Sequence, residues 1–194
     1  MRAFAYAKHG DGAVLQAQKL TPPELGRTQV MVRVHAMALN PLDYRLRKGE
    51  LRVLTGLRFP RLIGSDFSGT IEAVGRDVSD YDVGDTVYGM LRQIFDGVSA
   101  DLIAVEASQI APAPPSLDLT TAAAVPLAAL TAYQALTNLV NVQSGTRVLV
   151  NGASGGVGTF ATQIAASLGA HITAVTSFRN TDWMKDLGAA ETID

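Results

Sequence analysis

Glycines at 152, 155 and 158 give the spacing G-x-x-G-x-x-G within Val148-Leu-Val-Asn-Gly-Ala-Ser-Gly-Gly-Val-Gly158. The run reads as a buried strand, a tight turn and the start of a helix. Each glycine has a physical use: one tolerates positive φ in the turn, one lets backbone approach a diphosphate, and one lets the helix pack close to its strand. The amides and positive dipole end of the following helix then suit an anion. Asn151, Gly152, Ser154, Gly155, Gly156, Val157 and Gly158 are therefore candidate cofactor-binding residues. Context raises the value of the motif: an amphipathic helix follows (Phe160, Ile164, Ala165, Leu168), then Gly169 as a stop and a second strand at His171–Val175.

That second strand decides which dinucleotide is expected. A carboxylate at its tip would bind ribose hydroxyls and repel a 2′-phosphate. The strand runs Ile172-Thr-Ala-Val-Thr176 and continues Ser177-Phe-Arg-Asn180, with no Asp or Glu at the tip. Ser177 and Arg179 offer a hydroxyl and a guanidinium instead, both good phosphate donors. NADPH is the cofactor this predicts, against the alternative that Arg179 is a solvated loop arginine. A second set of candidates, Asn40 and Tyr44, follows an earlier strand. Asn40 could hold substrate or cofactor and Tyr44 could give a hydrogen bond or proton; the structural alternatives are a helix cap and packing.

Composition narrows the field. The chain has 194 residues, 47% hydrophobic and 18% charged, so a packed core is expected. Net charge is −2 with no basic run, which argues against nucleic acid as a partner. With no cysteine, disulfides, thiolate nucleophiles and Cys-ligated zinc are excluded. His9, His35 and His171 have no ligand spacing to one another and read as structural. The N-terminus does not read as a signal peptide, and Ala122–Leu136, the most apolar helical stretch, carries Pro126, Thr131 and Gln134. No membrane association and a cytoplasmic location are the expectations.

These residues need elements to position them. Residues 1–115 read as β-rich: Phe4/Tyr6 and Val30/Val32/Val34 alternate, and Gly69–Val74, Asp85–Gly89 and Ala100–Val105 are further strands. A short helix is predicted over Pro41–Lys48, with proline in its first turn. Residues 116–194 begin with one helix, from about Leu119 to Asn138, capped by Ser116 or Asp118 and kinked at Pro126. Strand, helix, strand, helix and strand then follow at Arg147–Val150, Gly156–Leu168, His171–Val175, Thr181–Leu187 and Glu191–Ile193. The fold class is α/β, with the second domain one βαβαβ half of a Rossmann sheet.

The order of motifs along the whole chain resembles the medium-chain dehydrogenases/reductases, specifically their zinc-free quinone oxidoreductase (zeta-crystallin-like) branch. The residues that carry this are Asn151-Gly-Ala-Ser-Gly-Gly-Val-Gly158, Asn40-Pro-Leu-Asp-Tyr44, Gly64-Ser-Asp-Phe-Ser-Gly69, Val74-Gly75, Asp82-Val-Gly-Asp85 and Ala129-Leu-Thr-Ala-Tyr133. The resemblance implies a GroES-like catalytic domain (1–115) followed by a Rossmann-type domain (116–194), of which only the first half is expected here. It also implies that Thr131 is a cofactor-pocket hydroxyl, while Tyr133 is expected in the core.

Where zinc-dependent members place their three catalytic ligands, this chain has Asn40, Ser65 and Leu127. Alcohol oxidation through a Lewis acid is then not expected, whereas reduction of a quinone or an α,β-unsaturated carbonyl is. Asp66 is expected to orient Arg45 or another basic group, a structural role. Enoyl-thioester reductases of the family use a Tyr after the glycine that ends the short helix; here Gly49 is followed by Glu50 and Leu51, so that role is not carried over. Leu51, Val53, Leu54, Leu57 and Phe59 read as an apolar substrate wall or as core. The expected partner is a small-molecule quinone or enone, with a homodimer as the assembly considered for a full-length form. A nucleotide-binding relative without turnover is the other function class. The chain is expected to be a piece of a longer protein and, alone, to bind NADPH poorly and to be only partly ordered over 145–194 or stabilised there by another chain, because half the sheet that forms the dinucleotide crevice is missing.

Overall fold

A computed structural model of the chain describes residues 1–55, 58–91 and 97–194, and these form two compact units, Met1–Pro126 and Leu127–Asp194. In the first unit β1 (Arg2–Tyr6), β2 (Leu15–Lys19) and β4 (Arg61–Leu62) form a small antiparallel sheet in the order β2-β1-β4. The larger sheet contains β3 (Gln29–Ala38), β5 (Asp66–Val74), β6 (Thr86–Met90), β7 (Leu102–Glu106) and β8 (Ile110–Pro112). Its order is β7-β3-β5-β6-β8, with every pair antiparallel.

The alternation in β3 has the expected result. Val30 and Val32 are fully buried with Phe67, Ile71, Val87, Val98 and Val105, and each such side chain contributes about 1.5–3 kcal/mol by leaving water. The β3–β5 pairing is interrupted twice. Met31 faces Ala73 while Val32 faces Ile71, so Glu72 is extra on β5; Val34 faces Gly69 while Ala36 faces Ser68, so His35 is extra on β3. Beyond the second bulge Ala38 faces Asp66.

Two short helices follow β3: α1 (Pro41–Lys48), at its expected position, and α2 (Arg52–Thr55). Asn40 is extended backbone at the N-cap of α1, and Pro41 occupies the first turn, where its missing N–H costs nothing. α3 (Leu119–Ala123) packs on β3, β5 and β6, and the Asp118 carboxylate accepts the Thr121 N–H at 2.8 Å as its cap.

The single kinked helix expected from 119 to 138 is not formed. α3 ends at Ala123, α4 (Pro126–Gln134) starts afresh, and a π-helical turn follows at Ala135–Leu139. Proline cannot donate to a preceding turn and crowds it, so Pro126 begins a helix rather than bending one. Because α3 packs on the strands before it, the compact division falls after Pro126, whereas the sequence reading divides the chain at 115/116.

The rest of the second unit is β9 (Arg147–Asn151), α5 (Gly156–Ser167), β10 (His171–Val175), α6 (Thr181–Asp186) and β11 (Glu191–Ile193). The strands are parallel in the order β11-β10-β9, and α5 packs on β9 and β10. The core holds Val150, Ala153, Ala165, Ile172, Ala174 and Met184. Small residues on α5 and β10 let the helix lie close to the sheet. The first unit is thus a β-rich domain and the second a partial Rossmann-like sheet. No helix of the described residues is long and apolar enough to cross a membrane.

Candidate functional site

In the second unit the glycine turn links β9 to α5. Gly152 has φ +70°, a conformation that side chains with a Cβ adopt at a cost. Gly158 is required by contact: a Cβ there would lie 2.4 Å from the Gly152 carbonyl oxygen and 2.7 Å from Ala153 Cα. Gly156 is different, because a Cβ there would meet nothing within 4 Å. The backbone at Gly156 therefore faces open space at the first residue of α5, while Gly155 caps the helix in extended conformation.

The first helical amides have no acceptor within their own helix. Open backbone, free amides and the positive end of the dipole fit the diphosphate of a dinucleotide. Asn151, Gly152, Gly155, Gly156 and Val157 are exposed and Ser154 is half-buried. The turn is rigidly based: Ala153 N–H donates to the Val175 carbonyl at 3.0 Å, and buried Thr162 Oγ1 donates to the Gly158 carbonyl at 2.9 Å.

The same register brings the tip of β10 beside the turn, since Val175 faces Asn151. Ser177 and Arg179 follow in a short 3-10 turn, both exposed. Among the described residues Arg179 forms no ion pair, and Ser177 Oγ accepts from Asn180 Nδ2 at 3.3 Å. A carboxylate does reach this tip from the neighbouring strand: Asp194 Oδ2 accepts the Phe178 N–H at 3.1 Å. The reading of β10 alone did not foresee it. Thr131, on α4, is exposed and donates Oγ1–H to the Leu127 carbonyl at 2.7 Å, which leaves its oxygen able to accept. Tyr133, expected in the core, is 52% exposed instead.

In the first unit Asn40 is held from two sides. Its N–H donates to Asp43 Oδ2 at 2.6 Å, and its Nδ2 donates to Asp66 Oδ2 at 2.9 Å. Both carboxylates are buried, Asp66 completely. Burial pushes the Asp43 carboxyl above the usual range, opposed by the backbone amides of Asn40 and Gly64. Tyr44, on α1, is half-exposed, with Lys48 Nζ 5.8 Å from its ring centre. Among the described residues no hydrogen bond joins it to Asn40.

Of the basic groups considered for Asp66, Arg45 is engaged elsewhere. It bonds Glu50 at 2.8 Å, a partner five residues along the chain. The asparagine–aspartate pair was missed because its members are 26 residues apart; the available signal was a carboxylate beside Phe67 at the start of a strand, which needs a donor if it is buried. The residues read as an apolar wall or as core are described only in part. Val53 is 93% exposed, Phe59 packs edge-on to His9 and Tyr6, and Leu57 and the Leu54 side chain lie outside the described residues. Ser65 uses its carbonyl to accept the Leu91 N–H at 3.0 Å. His171 lies 3.5 Å from Glu191 on the adjacent strand, a structural pairing.

Comparison with known proteins places this geometry. Residues 26–115 match the alcohol dehydrogenase GroES-like domain family. A quinone-oxidoreductase homolog from Spinacia oleracea, chloroplastic, is 35% identical over the whole of this chain, which spans 61% of its length. Among solved structures, the quinone oxidoreductase from Coxiella burnetii superposes with TM-score 0.91 at 33% identity, covering all of this chain and 62% of its own. A mycobacterial protein complexed with NADPH gives TM-score 0.87 at 30% identity, with 58% of its chain covered. Residues 26–115 thus carry the match to the GroES-like domain family, and the chain is similar from end to end to quinone oxidoreductases of the medium-chain dehydrogenase/reductase superfamily, each of which it spans only in part.

Proposed function

We propose that the protein is an NADPH-dependent reductase that transfers hydride to a quinone or an α,β-unsaturated carbonyl without zinc. The observation that carries the reading is the glycine turn. Its open backbone at Gly156 and the first amides of α5 lie beside a strand tip that offers Ser177 and Arg179, which forms no ion pair among the described residues. The amides at the start of α5, from Gly156 to Gly158, would hold the diphosphate, the Gly155 N–H being bonded to the Gly152 carbonyl at 2.9 Å, with Asn151, Ser154 and Thr131 lining the cofactor. Ser177 and Arg179 would take the 2′-phosphate. When bound, the nicotinamide supplies the hydride.

Asn40 orients substrate or cofactor, and Tyr44 gives a hydrogen bond or proton to the reduced acceptor. At the positions of the family's zinc ligands stand Asn40, Ser65 and Leu127, poor ligands all three. A conjugated acceptor spreads the arriving charge over its own π-system, so it needs orientation more than a Lewis acid. A cytoplasmic location and a homodimer of the full-length form complete the proposal.

The test is NADPH and NADH consumption against a panel of quinones and enones, with cofactor affinity measured in parallel. Turnover with NADPH and at least one conjugated acceptor supports the reading. Tight NADPH binding with no acceptor reduced would assign the protein to the non-catalytic nucleotide binders instead.

A further inference from the structure

We infer that Asp66 is a positioning residue that fixes the amide of Asn40, and through it the group that Asn40 presents to its ligand. The argument begins with cost. Asp66 is fully buried at the start of β5, and a buried carboxylate is retained only where donors meet it. One of those donors is Asn40 Nδ2 at 2.9 Å. A carboxylate can only accept, so it selects one of the two flips of the amide: the amino end faces Asp66 and the carbonyl end is left to accept elsewhere.

The backbone of the same residue is anchored separately, by the Asn40 N–H to Asp43 Oδ2 at 2.6 Å. Main chain and side chain are thus each tied to a different buried carboxylate. The first tie is one half of a capping box, whose other half turns the Asn40 side chain toward the Asp43 N–H. The second serves orientation, and it leaves the remaining lone pair of Asn40 Oδ1 to recognise a hydrogen-bond donor, such as a carboxamide N–H or a hydroxyl. The register places the pair: Ala38 faces Asp66 across β3–β5, and Asn40 lies just past Ala38. This inference rests on the proposal that Asn40 meets cofactor or substrate, and its test separates the two.

The first measurement is independent of activity. In ¹⁵N-labelled protein the Asn40 side-chain NH₂ should be shifted and protected from exchange. Asp66→Ala should remove that protection, while Asp66→Asn, which keeps an oxygen acceptor, should retain most of it. Unchanged Asn40 NH₂ signals in Asp66→Ala would overturn the inference whatever Asn40 binds.

The second measurement is a cycle of NADPH affinity and kcat/KM with Asn40→Ala. Asp66→Ala should cost about ten-fold in the wild-type background and almost nothing further in Asn40→Ala, because coupled residues are not additive. Equal losses in both backgrounds would make Asp66 merely structural and overturn the inference. If Asn40→Ala itself changes neither quantity while the NH₂ signals respond as expected, Asp66 still fixes the amide, and it is the proposed ligand role of Asn40 that fails. Should Asp66→Ala not fold, the same cycle with Asp66→Asn expects losses below about two-fold in the wild-type background, and a ten-fold loss there would refute the rescue.

Discussion

Gly156 and Gly158 are two residues apart on one helix, yet alanine should act on them in opposite ways. At 158 the added Cβ would lie 2.4 Å from Gly152 O and 2.7 Å from both Ala153 Cα and Ala153 O. All three are backbone atoms of a turn already pinned by the Ala153–Val175 hydrogen bond, so none can step aside cheaply. Overpacking of this kind costs about 1–3 kcal/mol. In a unit of this size each kcal/mol moves the midpoint by about 4–8 °C.

At 156 the Cβ meets no protein atom within 4 Å, and alanine is the better helix former by up to about 1 kcal/mol. Gly156→Ala should therefore be as stable as wild type or slightly more so. If a diphosphate packs on that backbone, the same methyl stands in its way, and NADPH should bind about ten-fold more weakly, or ~1.4 kcal/mol. Thermal unfolding followed by circular dichroism, with NADPH fluorescence titration on both variants, reads the two effects. An unshifted midpoint in Gly158→Ala, or wild-type NADPH affinity in Gly156→Ala, would refute the assignment of these glycines.

Three further outcomes are expected. Arg179→Ala should weaken NADPH by about ten- to hundred-fold, the worth of a charge-assisted contact at ~1.5–3 kcal/mol, and leave NADH nearly unchanged; equal losses for both cofactors in titrations would exclude the 2′-phosphate role. The Asp43 carboxyl is raised by burial, so the folded state holds its proton longer than the unfolded chain; its stability contribution is full below the ordinary value of 3.8 and is lost as pH rises through the folded value. Asp43→Asn, which cannot ionise, should flatten that decline in urea unfolding series, and an unchanged slope would show that the carboxyl titrates normally. Prolonged chelation should leave quinone or enone reduction intact, and loss of activity restored by added zinc would contradict the zinc-free reading.

Much of the fold is legible in the sequence where one signal dominates. The βαβαβ run was readable because apolar strands alternate with glycine stops, and β9, β10 and β11 fall within a residue of their expected ends. α1 was readable from Pro41 and the polar residue before it. β2 was not, since Leu15-Gln-Ala-Gln-Lys19 carries too little apolar alternation, and its strand exists only because β1 pairs with it. β8 contains Pro112, which argues against a strand except at a sheet edge, where it lies. For the candidate site, the glycine turn was legible because local backbone requirements write themselves into residue type. The Asn40–Asp66 tie was not, because it joins chain segments whose register depends on the sheet.

That register carries a consequence for length variation. A one-residue slip within a sheet normally turns every later side chain to the wrong face, so insertions and deletions are confined to loops. The two bulges between β3 and β5 make exceptions at Glu72 and His35, each of which is passed over by the pairing on either side. Removing either residue would straighten its strand locally and leave the partners before and after it unchanged, down to Ala38 opposite Asp66. Because one extra residue lies on each strand, Val30–Ala38 and Asp66–Val74 still run to equal length. Homologous sheets should accordingly gain or lose single residues at these two places, within paired strands rather than in loops, while keeping the spacing that delivers the end of β3 to the start of β5.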